Sequence, residues 1–215
     1  MQVIPAINAA SYEEAKEHLQ KIARTGAQMI HIDIVDGKFA PNVTWGSPEE
    51  LNRLFAEIGF HPNFELHLMT ENTERSLETW CSVHPHRVIV HAEGLSDVRF
   101  AANACNGCDA ELMIAIRPGT PVEVLMSFGE MTNAFQVLAV DPGKAGQKFQ
   151  EGVIHKIETL RKQYPGAIIE VDGGITPDIA RRCKSAGANN FVSASFIMNH
   201  SDPKVAYETL LATIG

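Results

Sequence analysis

The chain has 215 residues, 45% hydrophobic and 20% charged, with 18 Lys+Arg against 26 Asp+Glu and a formal net charge of −8. That composition predicts one globular domain over residues 1–215, and with no basic run or basic face it speaks against nucleic acid as a partner. No stretch of about 20 apolar residues is free of charge, and the N-terminal MQVIPAINAASYEEA lacks the basic start and apolar core of a secretory signal, so no membrane is expected and the cytoplasm is the expected location.

In chain order, short apolar, β-branched runs alternate with longer amphipathic ones. Strands are predicted over 3–8, 29–35, 63–68, 87–91, 112–116, 135–140, 167–171 and 190–192. Helices are predicted over 12–23, 49–58, 74–81, 98–104, 122–128, 152–162 and 177–186, with a last one over 203–213. Ser47-Pro48-Glu49-Glu50 supplies a cap, a proline at the first helical position and an acidic first turn, and Thr176-Pro177-Asp178 repeats the device. Eight strands, each followed by a helix, imply a parallel sheet, and the closed (β/α)8 TIM barrel is the arrangement that uses all eight. A doubly wound open sheet is the alternative.

Four cysteines are too few for a disulfide scaffold in a chain of this length. Cys105-Asn-Gly-Cys108 closes a helix instead of opening one, and no second pair follows at zinc-finger spacing. Cys81, Cys105, Cys108 and Cys183 are therefore expected to be unpaired, incidental thiols.

In a barrel the chemistry sits at the C-terminal strand ends. The second strand carries His31, Asp33 and Val35 on one face, the third carries His67 and Met69, and the seventh ends in Asp172. Inward charges in a barrel core are unfavourable unless paired or bound to an ion. His31, Asp33, His67 and Asp172 at neighbouring depths therefore suggest one divalent metal, zinc by donor type, with iron, manganese or cobalt also accommodated. His91, ending the fourth strand, faces the same rim and is expected to stand behind the ligands. His18, His61, His84, His86, His155 and His200 are expected to be solvated. The glycine-rich turns carrying Gly143 and Gly146, Gly173 and Gly174, and the Ala194-Ser195 turn suggest a backbone-amide cradle for a phosphate, with Lys144 either a further cation or a solvated side chain.

At these positions the sequence resembles the ribulose-phosphate 3-epimerase family. The resemblance runs through Pro5-Ala6-Ile7, the stretch from His31 to Asn42 (H-x-D-x-x-D-G-x-F-x-P-N), His67-Leu-Met69, Val90-His-Ala-Glu93, Ala115 to Thr120, Pro142 to Gln147, Glu170 to Gly174 and Ala194-Ser195. It implies a metal-dependent isomerase that interconverts D-ribulose 5-phosphate and D-xylulose 5-phosphate, or a close analogue such as a hexulose 6-phosphate. Inversion at C3 would proceed by two-base proton transfer through a metal-stabilised enediolate. The implied metal ligands are His31, Asp33, His67 and Asp172, and the implied acid/base pair is Asp33 and Asp172. Met69, Gly143, Gly146, Gly173, Gly174, Ala194 and Ser195 are implied to meet the sugar phosphate, and the family's habit of assembling implies a homo-oligomer.

Departures from the family pattern gather around the substrate. Ala6 stands for a serine, Val35 and Leu138 for methionines, Lys144-Ala145 for a Phe-Gly pair and Ala194 for a glycine. Two other functions stay open: a non-catalytic metal- and sugar-phosphate-binding barrel, and a decarboxylase or aldolase-type lyase. The lyase lacks a strand-end lysine to work with.

Overall fold

A computed structural model describes residues 1–215 and closes all eight strands into one parallel barrel in the order β1-β2-β3-β4-β5-β6-β7-β8. The units are β1 Gln2–Ile7, α1 Tyr12–Ala23, β2 Met29–Val35, α2 Pro48–Ile58, β3 Asn63–Met69, α3 Thr73–Trp80, β4 Arg87–His91 and α4 Val98–Gly107. They continue with β5 Glu111–Ile116, α5 Glu123–Met126, β6 Ala134–Leu138, α6 Val153–Gln163, β7 Ile168–Asp172, α7 Pro177–Ala186, β8 Asn190–Ser193, α8 Ser195–Met198 and α9 Pro203–Ile214. A 3-10 turn, Cys81–Val83, joins α3 to β4.

The caps act as the sequence predicts. Ser47 Oγ accepts from Glu50 N–H with Pro48 in the first turn of α2, and Thr176 Oγ1 accepts from Ile179 N–H ahead of Pro177. Strand alternation then divides the apolar side chains between two environments. One set packs with the helices in a continuous cluster of 50 buried residues, where Leu19, Ile22, Leu51 and Leu66 are wholly excluded from solvent. Each such side chain contributes roughly 1.5–3 kcal/mol by its burial. The other set lines the barrel bore in two smaller clusters, Ile4/Ala6/Met29/Val192 and Ile89/Met113/Ala115/Ala134.

Register fixes what the rest of the bore contains. His31 lies beside Glu65 and Asp33 beside His67 on β2 and β3, while Gln136 lies beside Glu170 and Leu138 beside Asp172 on β6 and β7. The bore therefore holds two polar layers, a floor at the level of Glu65, Arg87, Gln136, Glu170 and Asn190 and a mouth at the level of Asp33, His67 and Asp172.

Among the local departures from the predicted elements, the end of β6 has a clear physical cause. β6 ends at Leu138, not 140: Ala139 N–H still reaches Asp172 O, but β7 stops there, and Ala139 O accepts from Gln150 N–H in place of a strand partner. α4 runs on through Cys105 to Gly107. The short α8 is an additional helix, too brief to show a periodicity.

Candidate active site

Six β2 and β3 side chains set the site's depth: His31, Asp33 and Val35 alternate inward opposite Glu65, His67 and Met69. Asp172 closes the ring from β7. One ligand atom from each of His31, Asp33, His67 and Asp172 falls within 4.8 Å of the others.

Tautomers follow from the neighbours. His31 Nδ1 is 2.7 Å from Glu65 Oε1. His31, Arg87 and their hydrogen bonds hold that carboxyl below the usual range against the opposing effect of burial, so it accepts and Nδ1 donates. His31 Nε2 is left facing Asp33 Oδ1 at 3.1 Å and Asp172 Oδ2 at 3.9 Å. On the other side His91 Nδ1 donates to Glu93 Oε2 at 3.1 Å. Burial pushes His91 down to about 4, helped by the nearby His67 and opposed by Glu93, so it is neutral and its Nε2 is an acceptor. His67 Nε2 therefore donates to His91 Nε2 at 2.8 Å. The consequence is a bare His67 Nδ1, buried and without a hydrogen-bond partner, 3.2 Å from Asp33 Oδ1 and 3.4 Å from Asp172 Oδ2.

Two imidazole lone pairs thus converge on two carboxylates, an arrangement that repels itself unless a positive charge sits between them. Protons can supply it. Burial by itself lowers both imidazoles, yet Asp33 and Glu65 beside His31, and Asp172 and Asp33 beside His67, raise both above the usual value. The same contacts hold Asp33 well below the carboxylate range although its burial opposes this. A divalent cation satisfies all four groups at once, and the two-nitrogen, two-oxygen donor set fits one. These residues could hold a metal.

Above the four groups opens a cleft. Asp33 and Asp172 line it, whereas His31 and His67 are wholly buried beneath. Asp172 is partly open to the cleft, its side chain 15% exposed. All seven residues implied to meet the sugar phosphate, Met69, Gly143, Gly146, Gly173, Gly174, Ala194 and Ser195, line its wall. The N–H groups of Gly146, Gly174 and Ala194 donate to no backbone carbonyl. Gly174, at φ +68°, has no room for a side chain, since a Cβ would lie 2.7 Å from Phe149 N. Lys144 is exposed at the rim.

Several contributors escape sequence reasoning. Asn8 Nδ2 donates to both Asp33 Oδ2 and Gly143 O, each at 2.8 Å, and so ties the Asp33 carboxylate to the loop after β6. Asn42 Nδ2 donates to the same carbonyl at 2.8 Å, and a Cβ on Gly143 would strike the Asn42 amide. Arg117 stacks on the Phe39 ring at 3.9 Å and bonds Phe39 O, holding the β2 loop over the site. Glu65 and Glu170 do carry a signal: each lies two residues before an inward residue of the mouth and so shares its face. His18 is half-buried, not solvated, and its Nδ1 is shut away from water without a partner.

The fold and site together define a (β/α)8 barrel with a candidate metal centre at its C-terminal mouth, beneath a cleft walled by free backbone amides. More particularly, the chain belongs to the ribulose-phosphate 3-epimerase family, whose pattern it matches over residues 2–198. Its relatives include proteins named ribulose-phosphate 3-epimerase from Candida glabrata (29% identical, over 94% of this chain and 87% of the relative) and Chlamydia muridarum (30%, over 97% and 93%). Among solved structures, 3-hexulose-6-phosphate synthase from Salmonella typhimurium superposes with a TM-score of 0.76 at 15% identity, covering 100% of this chain and 98% of that one. Orotidine 5'-phosphate decarboxylase from Pyrococcus horikoshii superposes with a TM-score of 0.68 at 17% identity, over 99% of each chain. These two likenesses concern the fold. No helix is long and apolar enough to cross a membrane.

Proposed function

We propose that this protein is a metal-dependent 3-epimerase of a ketose phosphate, acting on D-ribulose 5-phosphate and D-xylulose 5-phosphate or a close analogue. The observation that carries the reading is the bare, buried Nδ1 of His67, aimed with His31 Nε2 at two carboxylates that line a cleft. His31, Asp33, His67 and Asp172 would hold one divalent ion, with zinc best suited to the donors and iron, manganese or cobalt also accommodated. When bound, it supplies Lewis-acid stabilisation of the negative charge that develops on the sugar when a carbon-bound proton leaves.

The chain's residues do the rest. Gly146, Gly174 and Ala194 offer unpaired N–H groups to the phosphate, which gives an acidic protein a local grip on an anion. Asp33 and Asp172 come from strands on different sides of the bore, β2 and β7, so one carboxylate takes the C3 proton from one face while the other returns a proton to the opposite face. Asn8 keeps the Asp33 carboxylate turned toward the cleft.

The test is exchange of the C3 proton with solvent deuterium across five- and six-carbon ketose phosphates, with the protein fully loaded with metal. Exchange on a pentulose phosphate is expected. Exchange confined to a hexulose phosphate identifies the analogue, and none on any substrate leaves a non-catalytic sugar-phosphate-binding barrel. Asp172→Asn should cut exchange by about 10²–10⁴-fold, while His86→Ala, exposed at the far end of the barrel, should leave it unchanged.

A further inference from the structure

All four cysteines are free thiols, as the sequence predicts, but two of them, Cys108 and Cys81, are brought together. Cys108 Sγ lies 2.7 Å from Cys81 Sγ, across the seam between the 3-10 turn that follows α3 and the C-cap of α4. Two unbonded sulfurs do not ordinarily approach so closely, and a disulfide of about 2.05 Å needs a shift of only about 0.7 Å. Neither sulfur is hydrogen-bonded to another side chain: Cys81 Sγ otherwise bonds only Ala104 O at 3.5 Å, and Cys108 Sγ only Cys105 O at 3.4 Å.

Access is graded in a way that orders the chemistry. Cys81 is half-buried and both cysteines border a surface groove beside Phe100 and Gly107, whereas Cys108 is 5% exposed. Cys105 and Cys183 are buried within the packing of α4 and α7.

We infer that Cys81 and Cys108 form a redox-reversible disulfide, made by exchange with a low-molecular-weight disulfide such as oxidised glutathione. The Cys81 thiolate, its proton released to water, attacks one sulfur of the small disulfide, and the first small thiolate leaves. The Cys108 thiolate then attacks the Cys81 sulfur and displaces the second. One protein S–S bond and two small thiols replace one small S–S bond and two protein thiols, so electrons and protons balance. Burial and the Cys108 neighbour push the Cys81 thiol up, so proximity drives closure more than acidity does. The bond would staple two successive β/α units of the outer ring, joining positions 27 apart in sequence.

The test is peptide mapping and intact mass of the whole protein after incubation with oxidised glutathione in mildly alkaline buffer without oxygen. Loss of two hydrogens in a crosslink between the Cys81 and Cys108 peptides is expected, with thiols falling from four to two. Dithiothreitol should restore all four, and the oxidised form should melt about 5–10 °C higher. Cys108→Ser should stop at a glutathione adduct on Cys81, and Cys105→Ser should still close the bond. Four intact thiols, a lasting adduct in the unsubstituted protein, or a Cys105–Cys108 crosslink would overturn the assignment, and the unsubstituted protein decides this even if a variant fails to fold.

Discussion

The floor and the mouth of the barrel bore both bring acids from separate strands together, but they resolve the charge differently. On the floor, Arg87 inserts between the acids. It bonds Glu65 at 2.7 Å, Glu111 at 2.7 Å and Glu170 at 3.4 Å, while Gln136 and Asn190 donate to Glu170 as well. Burial and the neighbouring Glu65 push Glu170 up to about 8, with Arg87 and His31 opposing, so at neutral pH one of the acids is also protonated. His31, Glu65 and Glu170 are close enough together to suggest a second metal site. The geometry argues otherwise, because His31 spends its Nδ1–H on Glu65 and Arg87 already supplies the cation. At the mouth no lysine or arginine takes that place, and the lone pairs of His31 and His67 face Asp33 and Asp172 instead. A buried acidic cluster that contains its own cation is structural, whereas one that lacks it has room for an external ion. His31 belongs to both layers, one nitrogen in each.

Substitutions in the two layers should therefore fail in different ways. The largest effect belongs to the mouth: Asp172→Asn should lower C3-proton exchange by about 10²–10⁴-fold while urea unfolding of the metal-free protein stays near the parent, since a repelling charge has been removed. A large stability loss with exchange retained would place Asp172 in the floor's category. Next comes Arg87→Met, which strands Glu65 and Glu170 without a cation and should cost about 3–5 kcal/mol in unfolding free energy. An unchanged denaturation midpoint would mean that the floor is neutralised by some other means.

The mouth is largely legible in the sequence and the floor is not, for a reason rooted in periodicity. His31-x-Asp33 and the run Glu65-x-His67-x-Met69 place like-facing residues two apart, so strand parity alone brings the candidate ligands of each strand to one side. The same parity covers Glu65 and Glu170, but parity says nothing of depth, and only the register of β3 on β4 sets Arg87 beside Glu65. The eight strands and the closed barrel are likewise legible from alternation. Asn8 is not, because its bonds depend on loops meeting across distant parts of the chain; the place of His91 behind the candidate ligands is legible, but its bonds to His67 and Glu93 are not. The Cys81–Cys108 contact is hidden because only packing brings two cysteines 27 apart in sequence together.

His31 offers a sharper test because it joins the layers. Glu65→Gln keeps an oxygen that can accept from His31 Nδ1 but removes the charge that fixes that tautomer and polarises the ring. The expected outcome is roughly tenfold weaker zinc affinity, at the lower end of what such outer partners contribute, measured by competition with a chromophoric chelator. Unaltered affinity would separate floor from mouth entirely and make their shared histidine incidental.

The smallest expected effect lies at the far end of the other relay. Glu93 accepts from His91 Nδ1, from Arg117 N–H at 2.8 Å and from the Thr120 hydroxyl. Burial alone would raise its carboxyl, yet these donors, His91 and Thr120 foremost, bring it down to about 2. With the folded value depressed below the ordinary 4.5, the stabilisation is fully present above pH 4.5, where folded and unfolded chains are both ionised. As pH falls from about 4.5 toward 2 the unfolded chain takes up the proton first, and the stabilisation is lost across that window. The side chain is 23% exposed, and allowing for solvent screening leaves a contribution of about 2 kcal/mol. Glu93→Gln should therefore lower unfolding free energy by about that amount at pH 7, with the gap between variant and parent narrowing steadily below pH 4.5 in urea titrations. Because the glutamine oxygen still accepts from His91 Nδ1–H, the bare lone pair on His67 survives and zinc affinity should move less than in Glu65→Gln. A gap independent of pH would show that Glu93 acts through packing alone, and a larger loss of zinc than in Glu65→Gln would show that the mouth depends more on its own relay than on the floor beneath it.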